Sequence, residues 1–259
     1  MTVPGFLDVD GAQLEARWLG APPAEAPTLV FLHEGLGSVS TWRDFPARLA
    51  EQTGCGALVY SRAGYGGSDP SRLPRPVRFM HDEAEVLGRI LAQTGIRAPI
   101  LIGHSDGASI SLIYAGSSPA VQPLGLVLEA PHVFTEPHGL ASIARIGEAY
   151  RTTDLRERLA RHHGANVDNA FRGWNDVWLD PEFRAWNIED VLPRITAPML
   201  ILQGEEDEYG TWRQVAAIEQ QSGGPVETVA IPSCGHSPHR EQPERTLREM
   251  SEFIAGLRR

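Results

Sequence analysis

Lysine is absent from this chain; all 23 basic side chains of its 259 residues are arginine. That excludes Schiff-base catalysis through a lysine and a phosphate loop built on one. Cysteine is nearly absent too. Cys55 and Cys234 exclude a disulfide scaffold or a structural zinc cluster, leaving at most one bridge. No stretch reaches 18 consecutive apolar residues, and the N-terminal MTVPGFLDVDG has neither a basic flank nor an apolar signal core. The expectation is a soluble cytoplasmic protein with no membrane partner. Positive charge is in deficit: 23 basic against 33 acidic residues give a net charge of −10, which repels a phosphate backbone. No nucleic-acid partner is expected. Low-complexity tracts, heptads and internal repeats are missing as well, so a fibre or a solenoid is excluded.

What is present is a rhythm of short apolar runs separated by amphipathic stretches. Phe6 to Leu19 alternates around Asp10-Gly11 and reads as a hairpin. Thr28 to Glu34, Ala57 to Tyr60, Ile100 to Ile102 and Leu124 to Leu128 suit strands buried on both faces. Between them Trp42 to Gln52, Phe79 to Thr94 and Ala108 to Ala115 carry apolar residues at helical spacing. The pattern returns with strand Met199 to Gln203, helix Trp212 to Gln221, strand Val226 to Ile231 and helix Pro243 to Leu257. Strands joined by single-helix crossovers predict a mostly parallel sheet covered by helices on both faces. From about His132 to Asn187 the rhythm breaks. No strand-like run occurs there, and three of the six tryptophans do: Trp174, Trp178 and Trp186. An insertion placed after a strand is a natural lid over the carboxyl ends of the sheet, where open sheets bind ligands. The expected division is therefore a core of residues 1–131 and 188–259 interrupted by a helical cap at 132–187.

Gly103-His104-Ser105-Asp106-Gly107 lies directly after a strand and directly before a helix, the setting of a nucleophile elbow. There a serine sits in a strained turn between glycines, with its hydroxyl above the sheet and the first helical amides facing any charge that develops. A serine needs a base, and the base needs an acid to hold its tautomer. Strand Met199 to Gln203 ends in Gly204-Glu205-Glu206-Asp207, and strand Val226 to Ile231 leads to Cys234-Gly235-His236. Both turns follow strand ends on the side where Ser105 emerges, so Asp207 and His236 are the candidate acid and base. His33, His104 and His239 are expected to pack around the site. The oxyanion donors are expected to be the amides of Asp106 and of Gly35, with Leu36 as its near neighbour. Glu34 is an odd residue in that turn; its carboxylate is expected to point away to a backbone amide or an arginine, with Arg62 a candidate partner. Neither H-x-H nor H-E-x-x-H occurs, so no metal is expected.

These segments, FLHEGLG (31–37), YSRAGYGGSD (60–69), GHSDG (103–107), GEEDE (204–208) and GHSPHREQPE (235–244), together resemble the α/β-hydrolase fold superfamily over nearly the whole chain. The resemblance implies a mostly parallel sheet of about eight strands with helices on both faces, a small helical cap and no cofactor. It implies Ser105 as nucleophile, Asp207 as acid, His236 as base, and the amides of Asp106 and Gly35 as the oxyanion hole. Glu34 departs from the family's usual glycine, and Tyr209 stands in a loop that often carries proline. Leu36, Trp174, Trp178 and Tyr209 are the candidate pocket residues. A small-molecule ester is the expected substrate. Thioesterase, lactonase and C–C hydrolase chemistry would use the same machinery, and an inactive binding protein of this fold is the outside alternative. Oligomeric state is left open, a homo-oligomer included.

Overall fold

The computed structural model describes residues 3–258, so residues 1, 2 and 259 of the expected core lie outside it. Eight strands form one sheet: β1 (Val3–Val9), β2 (Ala12–Gly20), β3 (Thr28–Leu32), β4 (Gly56–Tyr60), β5 (Pro99–His104), β6 (Gly125–Glu129), β7 (Met199–Gly204) and β8 (Val226–Ile231), ordered β1-β2-β4-β3-β5-β6-β7-β8. β1 and β2 form the antiparallel hairpin expected around Asp10-Gly11, and β2 pairs antiparallel with β4. From β4 onward every pairing is parallel. The predicted α/β class and sheet are observed.

Successive side chains of the inner strands bury to opposite faces, so both layers of the core come from the same short apolar runs. Val30, Leu32, Leu101 and Leu128 pack with α2 (Phe79–Thr94) and α3 (Asp106–Gly116). Leu29, Phe31, Ile102 and Leu202 pack on the other face with α1 (Phe45–Thr53) and, late in the chain, the Pro243–Gly256 helix. Helix α1 begins three residues later than its apolar spacing suggested. Val39–Trp42 is a separate 3₁₀ turn, Arg43 follows with φ of 54°, and Pro46 then sits in the first turn of α1. A positive φ at a bulky residue cannot continue a helix, and proline tolerates only its first turn.

Between β6 and β7 run three helices, α4 (Pro137–Thr152), α5 (Leu155–His163) and α6 (Val167–Trp178), and no strand of the sheet. A single antiparallel bridge, Phe134 with Asn187, closes this segment at its base. Its tryptophans Trp174, Trp178 and Trp186 are buried. After β7 come α7 (Trp212–Gln221) and, beyond β8, the short α8 (Pro238–Glu241) and α9, the Pro243–Gly256 helix. Cys55 and Cys234 are both free and buried, so the one bridge the composition permitted does not form. Burial pushes the Cys234 thiol up to about 12, leaving it un-ionised and inert at neutral pH.

Candidate active site

Ser105 follows β5 with φ of 53° and ψ of −116°. That strain is held by close packing on both sides. A Cβ on Gly103 would lie 2.5 Å from the Gly107 carbonyl oxygen, and one on Gly107 would overlap the Leu32 carbonyl of β3. Larger residues would force strand and helix apart. The Ser105 amide donates to the Glu129 carbonyl at 2.9 Å, tying the turn to the neighbouring strand. No side chain caps the start of α3, so its first amides keep the capacity to face an anion.

The turns after β7 and β8 bring Asp207 and His236 into contact. Nδ1–H of His236 faces both carboxylate oxygens of Asp207 at 2.9 Å, which leaves Nε2 as the nitrogen able to take a proton. Asp207 is held by three further donors: the amides of Tyr209 at 2.8 Å and Gly210 at 3.2 Å, and Nε2 of Gln203 at 2.8 Å. Burial works to raise its pKa, but the field and hydrogen bond of His236 and the Tyr209 amide bring it well below the ordinary carboxylate range. Glu205 and Glu206 are exposed. Ser105 and His236 share the wall of one cavity of about 210 Å³ with Gly35, Leu36, Trp174, Trp178 and Tyr209.

The turn carrying Gly35 is fixed by Arg62, which is fully buried. Its guanidinium donates to the carbonyls of His33 at 2.6 Å and Glu34 at 3.2 Å, while its own amide donates to Nε2 of His33 at 3.1 Å. Nδ1–H of His33 donates to the Glu34 carbonyl at 2.7 Å, so this ring is neutral, in line with a pKa pushed well down by burial and by Arg62. The same guanidinium lies 3.9 Å from the Asp106 carboxylate, which also accepts from Nε1–H of Trp178 at 3.1 Å. Arg62 thus links the two segments that carry Gly35 and Asp106. Trp174 lies directly on Gly35, where any Cβ would overlap the indole. His163, at the end of α5, donates to the Leu36 carbonyl at 3.0 Å and accepts from the Gly66 amide at 3.1 Å, tying the helical segment to the same turn.

The candidate pairing of Glu34 with Arg62 is corrected. Arg62 is occupied by backbone carbonyls, and the Glu34 carboxylate turns to Nδ1 of His104 at 3.5 Å. Nε2–H of His104 donates to the carbonyl of His236 at 2.7 Å. Nδ1 makes no hydrogen bond, but a carboxylate at this distance favours the protonated ring. Burial alone would lower its pKa, but Glu34 and then Glu129 raise it to about 9. A second pair missed in the sequence lies beside it: His239 donates both its amide, at 3.0 Å, and Nδ1–H, at 2.8 Å, to Glu129. A carboxylate at the end of the Leu124–Leu128 run and a histidine three residues past His236 were the signals available. Their contact becomes visible only once β6 and α8 are in place. His132 also lines the cavity, its ring centroid 5.6 Å from that of His236; burial first, then His236, pushes its pKa down to about 4. Among the described residues no group of three or more potential ligands is gathered to hold a metal.

The family model described as the alpha/beta hydrolase family matches residues 29–249. The chain belongs to the alpha/beta hydrolase family. Among curated proteins this hydrolase is 22% identical to the monoglyceride lipase of Mus musculus over 275 residues, covering 98% of this chain and 90% of that one. It is 23% identical to the sn-1-specific diacylglycerol lipase of the same species over 258 residues, covering 90% and 82%. Among solved structures, a bacterial membrane phospholipase A superposes with a TM-score of 0.79 at 22% identity, covering 99% of this hydrolase and 87% of that chain. An esterase from Exiguobacterium antarcticum gives 0.77 at 19%, covering 98% and 100%. These likenesses establish the fold of the hydrolase. No helix among its described residues is long and apolar enough to cross a membrane.

Proposed function

We propose that the protein is a serine hydrolase cleaving a small to medium carboxylic ester through an acyl-enzyme. Ser105 Oγ attacks the ester carbonyl carbon as its proton passes to Nε2 of His236. The amides of Gly35 and Asp106 hold the tetrahedral oxyanion. Collapse breaks the C–O bond, and the departing alkoxide takes the proton from His236. Water then repeats the sequence on the acyl-enzyme, releasing the acid and restoring Ser105. Residues 132–187 serve as the cap that closes this cavity.

The observation that carries the reading is the Asp207–His236 pair, since it fixes Nδ1–H and frees Nε2 beside the cavity that Ser105 lines. A cavity of about 210 Å³ is below the ~300–1,000 Å³ of typical ligand pockets, which supports a small acyl group. The curated relatives, a monoglyceride lipase and a diacylglycerol lipase, support a carboxylic ester as the substrate. The deciding experiment is labelling with a fluorophosphonate followed by peptide mass spectrometry, beside turnover of short-chain esters. A single adduct on Ser105 with ester turnover supports the reading. An unlabelled Ser105 in folded protein sinks it.

A further inference from the structure

A second cavity, of about 340 Å³, adjoins the catalytic one, and the two share Glu34, Leu36 and Arg240 as wall residues. Its remaining walls bring Arg43 from the loop before α1 and Arg158 and His162 from α5, over the apolar side chains of Leu155 and Leu159. Three exposed arginines from three separate elements therefore line one cavity beside the catalytic one, in a chain whose net charge is −10. They are little neutralised. Among the described residues Arg43 and Arg240 form no ion pair, and Arg158 reaches only the exposed Asp154 one turn back, at 3.4 Å. The nearest carboxylate in the shared wall, Glu34, is turned to His104. Arg43 also holds φ of 54°, a strained value that the fold maintains at a bulky residue. His162 registers the same field: partial burial and then Arg240 depress its pKa, Glu34 opposes, and Arg43 and Arg161 add to the depression.

We propose that this second cavity binds an anionic group of the substrate, a carboxylate or a phosphate carried on the portion that extends beyond the scissile ester. The inference rests on the hydrolase reading and names its substrate class. Guanidiniums suit this task because their planar donors pair bidentately with carboxylate and phosphate oxygens. Leu155 and Leu159 supply apolar surface beside those contacts, and the three arginines, exposed in the free protein, are open to an incoming anion. Convergence of this kind is invisible along the chain, where the three arginines lie far apart.

Two matched substrate pairs test it and separate the sources of the charge. On the acyl side, 4-nitrophenyl hemiglutarate is compared with 4-nitrophenyl valerate; on the alcohol side, 1-butyrylglycerol 3-phosphate with 1-butyrylglycerol. In at least one pair the wild type favours the anionic member. The R43Q/R158Q double variant lowers the anionic-to-neutral ratio of kcat/KM by roughly tenfold or more, mainly through KM. Adding 0.5 M sodium chloride moves the wild-type ratio in the same direction. A ratio that is the same in wild type and variant for both pairs overturns the proposal while leaving the hydrolase reading intact. If no ester turns over and Ser105 does not label, the hydrolase reading falls, and the site is decided by binding alone. Glutarate or inorganic phosphate raising the melting temperature of wild type but not of R43Q/R158Q then upholds an anion site; equal shifts overturn it.

Discussion

Three carboxylate–histidine pairs stand together at the carboxyl edge of the sheet, and two of them, Asp207–His236 and Glu34–His104, differ in what faces the far ring nitrogen. Asp207–His236 joins the turns after β7 and β8 and engages one ring nitrogen, so the other remains open. Glu34–His104 joins the turn after β3 to the end of β5; the His236 carbonyl takes Nε2–H, while the carboxylate stands 3.5 Å from Nδ1 without a hydrogen bond. In the proposed mechanism the open Nε2 of the first pair is the atom that receives the Ser105 proton. The second is locked: its Nε2–H is spent on the backbone of His236, and against the effect of burial Glu34 raises the pKa of its ring. A buried acid beside a histidine is thus no sign of catalysis in itself: Glu129–His239 is such a pair too, but it is His236 that lines the cavity with Ser105.

Breaking the proposed catalytic set should produce the largest effect. Ser105→Ala is expected to lower turnover by ~10⁴–10⁶ with the fold intact, because only binding and oxyanion stabilisation remain. Asp207→Asn should cost about 10⁴ through loss of the productive His236 tautomer. Glu205→Gln and Glu206→Gln, in the same turn but exposed, should leave the rate within a few-fold. Steady-state kinetics on one ester, with circular dichroism to verify folding, settles the set. Equal losses from Asp207→Asn and either glutamine variant would refute the assignment of the acid.

Breaking the locked pair should cost stability first and rate second. His104→Gln or Glu34→Gln strands one buried charge, at a cost of ~3–5 kcal/mol. Loss of the His104 bond to the His236 carbonyl also loosens the base, and a misplacement near 1 Å can cost up to ~10² in rate. The double variant should be less damaging to stability than the sum of the singles, since neither charge is then left unpaired. The pH dependence has a definite sign. The pKa of His104 is raised from its ordinary 6.5 to about 9, so its contribution is fully present below 6.5 and disappears as pH rises through about 9. Between pH 6.5 and 9.5 the wild type should therefore lose more melting temperature than His104→Gln does. Parallel curves for the two proteins would mean that His104 is not charged.

Much of this arrangement was legible before the chain was folded. The helix Phe79–Thr94, the helix Trp212–Gln221 and the strand Val226–Ile231 are read to the residue, because strong apolar periodicity runs into clear stops. Ser105, Asp207 and His236 were accessible for a related reason: each follows a readable strand, and parallel strands bring their carboxyl ends to one edge. What stayed hidden depended on packing across the sheet. Charge alone suggested Arg62 for Glu34, yet a guanidinium buried beneath a tight turn meets backbone carbonyls first. The indole of Trp174 on Gly35, the Glu129–His239 pair and the gathering of Arg43, Arg158 and Arg240 join segments far apart in sequence. No local pattern encodes them.

The tryptophans of α6 sharpen the contrast at its smallest scale, since both line the cavity and both are buried in the core. Trp174→Ala should reduce stability by ~3–5 kcal/mol and also change chain-length preference, because the indole that packs the core is the one that covers Gly35. Trp178→Phe is the gentler test. It keeps most of the apolar volume and removes one N–H, the donor to the Asp106 carboxylate. Arg62 at 3.9 Å then remains as a charged neighbour of that fully buried group, with Arg75 acting on it more weakly. An unsatisfied buried acceptor costs ~1–3 kcal/mol, and the side-chain pKa of Asp106, already raised by burial, should rise further. Turnover should change only a few-fold, since the proposed oxyanion donor is the Asp106 amide and not its carboxylate. Thermal melts beside kinetics on a single ester decide the point. A lowered melting temperature with near-normal turnover assigns the Trp178 bond to holding α6 on the elbow. A loss of turnover as large as that of Asp207→Asn, with the melting temperature unchanged, would instead place the Asp106 side chain in the reaction.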